Sequence, residues 1–218
     1  MSKIKYSKNN ILTAFLNFKP IVLISNLIFQ GIPYMTIGEK IYKVLITLIF
    51  TFIINFLLNN VYMSFFIGHI LNYIINGQFY VVYRYLSKNE TMNIEKLHSY
   101  ITFIEKVTGF FKPLDIIYTG SFARGQMSRQ SDLDIRIYHR RGIINSLKCY
   151  FMATFLRLTA IFMKFPIDVY CFSNLSFLGP RKISKKEIPV HTNGKKEFLS
   201  KFPNSPKISD QLEKLIIR

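Results

Sequence analysis

From Val44 to Tyr83 the chain runs for forty residues without an Asp, Glu, Lys or Arg. A soluble helix of that length keeps a charged face toward water, so this stretch restricts what the N-terminal part can become. Val44 to Leu58 is almost wholly aliphatic and aromatic, with Asn55 as its only amide. Asn59-Asn60 is a natural turn, and Val61 to Ile75 is apolar again apart from His69 and Asn72. About 20 helical residues cross the hydrocarbon of a bilayer. Ile41 to Val61 meets that length with Lys43 snorkelling. The second stretch returns if His69 and its amides face the first helix or a partner. The expectation is an all-α, membrane-embedded hairpin over about residues 41–83. The competing reading is a buried hairpin in a soluble helical domain.

The flanks set the expected topology. Lys3, Lys5, Lys8, Lys40 and Lys43 precede the hairpin, and Arg84 and Lys88 follow it. Basic flanks stay on the cytoplasmic side, which puts Asn59-Asn60 on the far side. Ile21 to Ile37 is apolar but broken by Asn26, Gln30, Gly31 and Pro33, and reads as a re-entrant or interfacial helix or a poor span. Met1 to Asn10 is basic and polar and lacks the features of a cleaved secretory signal. His69, Asn72 and Asn76 share one helical face. With Gln78 they read as hydrogen-bonding groups within the hairpin, or as a seam for a lipid-linked substrate or partner helix. Cys149 and Cys171 give neither a disulfide framework nor metal-ligand spacing.

The second half of the chain carries chemistry. Leu114 to Tyr118 is a β-branched and aromatic run that reads as a strand, ended by Gly120-Ser121, with a helix predicted to begin over Phe122 to Met127. Asp132 to Tyr138 reads as a second strand. Alternation puts Asp132 and Asp134 on one face and Leu133, Ile135 and Ile137 on the other. Neighbouring carboxylates resist joint ionisation without a cation, and a hard divalent ion with oxygen ligands, most simply Mg²⁺, resolves the conflict. A Gly-Ser turn entering a helix offers N–H groups and a hydroxyl to phosphate. Phe165 to Cys171 reads as a third strand bearing Asp168. Ile143 to Lys164 reads as a helix with an apolar stripe of Leu147, Tyr150, Phe151, Phe155, Leu158 and Phe162. A phosphate cradle beside carboxylates that hold metal is the equipment of phosphoryl or nucleotidyl transfer.

Gly120-Ser121, ten intervening residues, Asp132-Leu133-Asp134 and the later Asp168 resemble the nucleotidyltransferase superfamily typified by DNA polymerase β. The fuller pattern Gly-Ser-x-Ala-Arg-Gly with Ser-Asp-x-Asp is similar to its minimal nucleotidyltransferases, including antitoxin-type enzymes and relatives of the kanamycin nucleotidyltransferases. The resemblance covers residues 95–175. It implies that Gly120 and Ser121 hold the triphosphate of a nucleotide and that Arg124 supports the phosphates or the loop. It implies that Asp132, Asp134 and Asp168 bind two Mg²⁺ ions, with Mn²⁺ as a substitute. Asp168 would also help to deprotonate the attacking hydroxyl. Arg136 departs from the small or apolar residue usual on this strand. It faces the carboxylates, where it contacts a phosphate or neutralises Asp134.

The expected fold class is therefore an α/β (α+β) nucleotidyltransferase domain with a mixed sheet, preceded by an all-α membrane hairpin. The expected divisions are a membrane region over 1–86, the nucleotidyltransferase domain over 87–178 and a basic C-terminal extension over 179–218. Ser87 to Asn93 reads as a linker, and Asn93 as the cap of a helix from Ile94 to about Phe110 with Ile94, Leu97, Ile101, Ile104 and Val107 in one stripe. The extension, with Arg181, Lys182, Lys185, Lys186, Lys195, Lys196 and Lys201, reads as a loose basic surface ending in a helix over Asp210 to Ile217. The net charge is +17, which suits an anionic lipid surface. Aromatics for base stacking are sparse there, Phe198 and Phe202 only, which argues against specific nucleic-acid binding. The implied partners are a nucleoside triphosphate (ATP first), membrane lipid, and an acceptor that is lipid-linked, a glycan or a protein. The alternatives are a nucleotide-binding regulator without turnover and an antitoxin-like protein that modifies a partner.

Overall fold

The structure, a computed structural model, describes residues 18–30, 32, 35–76, 94–111, 114–128, 131–175, 188–194 and 196–216. The expectations for Met1–Asn10, Gln78–Asn93, Arg181–Lys186 and Lys195 fall outside these residues. Three helices come first: α1 (Lys19–Phe29), α2 (Ile37–Leu58) and α3 (Val61–Ile75). Pro20 lies in the first turn of α1, and Gln30 ends it in a left-handed conformation. Thr36 caps α2 by accepting from the Glu39 N–H. Asn59 closes α2 with φ 47°, and the Asn60 side chain accepts from the Met63 N–H to open α3. Two adjacent asparagines thus supply both halves of the turn, one tolerating the left-handed region and the other capping.

The α2–α3 hairpin buries polar and small residues between its helices. Glu39, Lys43 and Thr47 of α2 and Ser64, Gly68 and Asn72 of α3 are buried. A Cβ at Gly68 would lie 2.9 Å from the Thr51 backbone nitrogen, so only glycine admits this approach. Asn72 donates to the Lys43 carbonyl at 2.9 Å and to Thr47 Oγ1 at 2.7 Å. Tyr73 is buried, but many large apolar residues point outward: Phe52, Phe56, Leu57 and Tyr62 are at least three-quarters exposed. His69 turns away from the α2 partners of Asn72. Its Nε2 lies 2.8 Å from the Leu27 carbonyl of α1, and Gln30 donates to the His69 carbonyl at 2.9 Å.

The remaining elements are α4 (Ile94–Phe110), β1 (Leu114–Thr119), α5 (Gly120–Ala123), β2 (Leu133–His139), α6 (Ile143–Phe162), β3 (Ile167–Phe172), β4 (Val190–His191), α7 (Lys196–Lys201) and α8 (Ile208–Ile216). They build a mixed sheet in the order β3-β2-β1-β4. β1 runs antiparallel to β2 and β4, while β2 and β3 are parallel and joined through α6. Parallel neighbours require such a crossover. Leu133, Ile135, Ile137, Ile116, Tyr118, Val169 and Cys171 form the core face beneath α4 and α6. Leu97, Ile101 and Ile104 carry the buried stripe of α4 as the spacing predicts.

Two expectations change. The buried face of α6 is Cys149, Tyr150, Met152, Ala153, Leu156, Arg157 and Ala160, whereas Leu147, Phe151 and Phe162 are exposed. Small residues bring α6 close to the sheet, and a helix apolar on nearly every side gives periodicity little to choose between. The C-terminal segment is also less loose than its composition suggests. β4 extends the sheet, and Asp115 holds the turn after it by accepting from Thr192 Oγ1 and the Asn193 N–H, both at 3.2 Å. Phe198 of α7 covers Ile117, Tyr138 and Phe172 on the second face of the sheet. Ile208 and Leu212 of α8 enter the main core.

The hairpin is not a separate body. The first turns of α2 pack on α6: a Cβ at Gly38 would lie 2.1 Å from the Tyr150 hydroxyl, and the Tyr42 and Tyr150 rings are 5.5 Å apart.

Candidate active site

The carboxylates gather at one end of the second face. Asp134 and Asp168 are register partners across the parallel β2–β3 pair. Adjacent strands lie about 4.8 Å apart, so the two side chains rise side by side. Each is the second residue of its strand and the only partly open position in it. Asp132 stands just before β2, half-buried and two residues before Asp134. The alternation read from the sequence is therefore observed, with Leu133, Ile135 and Ile137 in the core.

Asp134 also faces Thr119, the last residue of β1. The next residue, Gly120, has φ 70°, and a Cβ there would sit 1.9 Å from Asp134 Oδ2. Gly120 is thus required twice over, by the turn and by the carboxylate it touches. After it the chain makes only one helical turn, α5, instead of a helix running to Met127. Gly125, with φ 65°, ends it, and the Gln126 N–H returns to the Ser121 carbonyl at 2.8 Å. Ser121 is half-buried, with its hydroxyl 3.0 Å from Met127 Sδ. Arg124 caps α5 and is exposed.

Arg136 is the fixed cation of the site. Its Nη2 is 3.6 Å from Asp134 Oδ1, its Nη1 donates to the Asp168 carbonyl at 3.3 Å, and its guanidinium lies 4.8 Å from the Tyr170 ring centroid. Its ion pair with Asp134 is present, as one of the two roles expected of it. Burial raises the Asp168 carboxyl above its ordinary range. Arg136 opposes that shift, Asp132 adds to it, and a hydrogen bond with Tyr170 offsets part of it. The Tyr170 hydroxyl is pushed up in turn, by burial and by Asp168.

Among the described residues, no three His, Cys, Asp or Glu side chains are grouped so as to hold a metal ion by themselves. The donor set is nonetheless of the kind Mg²⁺ takes: one or two carboxylates, with the remaining positions left to water and substrate phosphates. The glycine against Asp134 keeps that side of the carboxylate free of a Cβ.

Two residues lay beyond the reach of sequence reasoning. Glu39 and Arg157 form a buried ion pair at 2.6 Å between the hairpin and α6. An acid and a base 118 positions apart leave no local mark. The only available signal was an isolated acid beside an apolar run.

Residues 101–191 match the family model of the nucleotidyltransferase domain. No curated protein and no solved structure gives a significant match. The matched segment begins inside α4 and ends at β4. It therefore holds all four strands together with Gly120, Ser121, Arg124 and the three aspartates, and a four-stranded mixed sheet with flanking helices fits that fold. Residues 101–191 are thus similar to a nucleotidyltransferase domain, in sequence by the family match and in their arrangement of strands and helices.

Proposed function

We propose that the chain is a membrane-anchored nucleotidyltransferase that moves a nucleoside monophosphate from a nucleoside triphosphate to an acceptor hydroxyl. The observation that carries this reading is the register-matched pair Asp134 and Asp168 beside Gly120, at the one open end of an otherwise closed sheet face. The turn at Gly120-Ser121 receives the triphosphate, and Arg124 supports the phosphates from the end of α5. Asp132, Asp134 and Asp168 are the residues that would hold two Mg²⁺ ions, which when bound would supply charge neutralisation to the phosphates. Asp168 takes the proton of the acceptor hydroxyl. The acceptor oxygen bonds to the α-phosphorus, the bond from that phosphorus to the bridging oxygen breaks, and pyrophosphate leaves. ATP is the first donor to try.

Membrane anchoring is supported by α2, which is long and apolar enough to cross a bilayer, and by the hairpin's outward apolar residues. The basic flanks assign the catalytic domain to the cytoplasmic side, where triphosphates are. An acceptor at the membrane follows: a lipid, a lipid-linked glycan or a membrane protein.

A second reading draws on Arg136. A guanidinium held against Asp134 competes with metal for that carboxylate, which suits a nucleotide-binding regulator without turnover. Pyrophosphate release from each of the four triphosphates with Mg²⁺, in native-lipid membranes, separates the two. The transferase releases pyrophosphate and Asp132→Ala/Asp134→Ala does not. Binding that depends on the carboxylates, with no release, favours the regulator. Binding and release both indifferent to the double substitution would sink both readings.

A further inference from the structure

Among the described residues β3 is an edge strand, with β2 on one side only. Alternate residues of a strand point their N–H and C=O groups to the same side, so an edge leaves such groups open for adventitious pairing. On the outer edge of β3 two groups are claimed by side chains. The Val169 carbonyl accepts from Arg157 Nη2. The Cys171 N–H donates to Glu39 Oε2 at 3.3 Å. Glu39 and Arg157 are themselves paired at 2.6 Å and 2% and 4% exposed. The pair therefore does the work of a missing strand, with a carboxylate opposite an N–H and a guanidinium opposite a C=O. Its two halves come from different places: Arg157 from α6, and Glu39 from the first turn of α2, the helix that begins the hairpin.

The contact continues into the hairpin. Arg157 Nη1 donates to Asn76 Oδ1 at 3.4 Å, Thr154 donates to the same oxygen at 3.1 Å, and Asn76 donates to Asn72. A buried ion pair is a poor source of stability compared with apolar packing, and its better-attested use is to specify one arrangement among several. Here the arrangement specified is the height of β3, beginning at the residue after Asp168.

We propose that Glu39 and Arg157 are positioning residues: the base of the membrane hairpin closes the free edge of β3 and so holds Asp168 level with Asp134. The inference rests on the reading of those two aspartates as metal ligands. It makes the hairpin part of the catalytic apparatus and not only an anchor.

The test uses the full chain in lipid, with Glu39→Leu, which removes the acceptor for the Cys171 N–H, and Glu39→Gln, which keeps one. Two readouts need no turnover: Mn²⁺ affinity followed by electron paramagnetic resonance, and amide hydrogen exchange of the peptide spanning β3. A third is the Mg²⁺ concentration that half-saturates pyrophosphate release. In Glu39→Leu, Mn²⁺ affinity falls about tenfold or more, as when a supporting partner of a metal ligand is lost. The Cys171 amide loses protection and the Mg²⁺ requirement rises in step. Glu39→Gln stays within about threefold of wild type in affinity and keeps the protection. If Glu39→Leu does not fold, Arg157→Lys, which keeps one donor, replaces it with the same expected rise in Mg²⁺ requirement. A purely structural pair would lower the melting temperature while leaving Mn²⁺ affinity and Mg²⁺ requirement of the folded fraction unchanged, and that result overturns the proposal alone. Wild-type Mn²⁺ binding indifferent to Asp134→Ala would overturn the metal-site reading and the proposal with it.

Discussion

The hairpin and the sheet domain bury their residues by opposite rules. In the sheet domain the interior is Leu133, Ile135, Ile137 and their neighbours, and Asp132, Asp134 and Asp168 stand at the opening. In the hairpin the interior is Thr47, Ser64, Gly68 and Asn72, while Phe52 and Phe56 stand outside. Water explains the first pattern, since apolar area gains by leaving it. The lipid surrounding proposed above would account for the second. There apolar side chains gain nothing by pairing with one another, so association rests on close backbone approach and interhelical hydrogen bonds. The two regions meet where α2 docks on α6, through the Glu39–Arg157 ion pair and the packing of Gly38 and Tyr42 on Tyr150.

The comparison breaks most visibly at the carboxylates. Asp168→Asn is expected to cut the rate of pyrophosphate release by about 10²- to 10⁴-fold, the usual cost of losing a general base. Stability should move the other way. The folded carboxyl has a raised pKa, so between its ordinary value and the raised one the folded state binds more protons than the unfolded state. Stability from this group therefore falls as pH rises through that window. At neutral pH the metal-free protein bears that cost, and the asparagine removes it. Melting curves of metal-free wild type and variant between pH 4 and 8, conditions chosen to bracket the ordinary carboxylate range, should diverge in favour of the variant as pH rises. A wild type that gained stability from this residue with rising pH would contradict the burial described.

A smaller effect sharpens the solvent contrast. Ile135→Ala, at a fully buried position, should cost about 2–5 kcal/mol. Phe56→Ala, at a position 88% exposed, should cost less than about 0.5 kcal/mol in detergent yet weaken partition into lipid vesicles by roughly tenfold. Denaturant titration and vesicle flotation measure the two. Equal losses of stability in both variants would mean that the outer face of the hairpin is covered by protein.

Two glycines separate the regions by function. Gly120→Ala forces a Cβ onto Asp134 at a positive φ and should cost about 1–3 kcal/mol of strain, with loss of nucleotide binding. Gly68→Ala should cost about 1 kcal/mol, near the lower end for overpacking, because α3 can shift slightly from Thr51 and regains helix propensity. It should leave nucleotide affinity unchanged. Nucleotide titration and thermal melts in detergent distinguish them, and a Gly68 variant that loses nucleotide would show the regions to be more tightly joined than drawn here.

The sequence alone determined whatever rests on local backbone chemistry and short-range alternation. Asn59-Asn60 turns because asparagine tolerates the left-handed region and caps the next helix. Gly120-Ser121 ends β1, and Leu133, Ile135 and Ile137 separate from Asp134 by the period of a strand. The tertiary structure decided what depends on meetings across long separations. Asp168 aligns with Asp134 only through the β2–β3 register. His69 finds α1 instead of α2, β4 joins the sheet from a segment that composition marks as loose, and α6 turns its small side inward. Glu39 finds Arg157 across most of the chain. Such contacts are chosen by packing and by burial of polar groups with a partner, and neither quantity exists until the chain has folded back on itself.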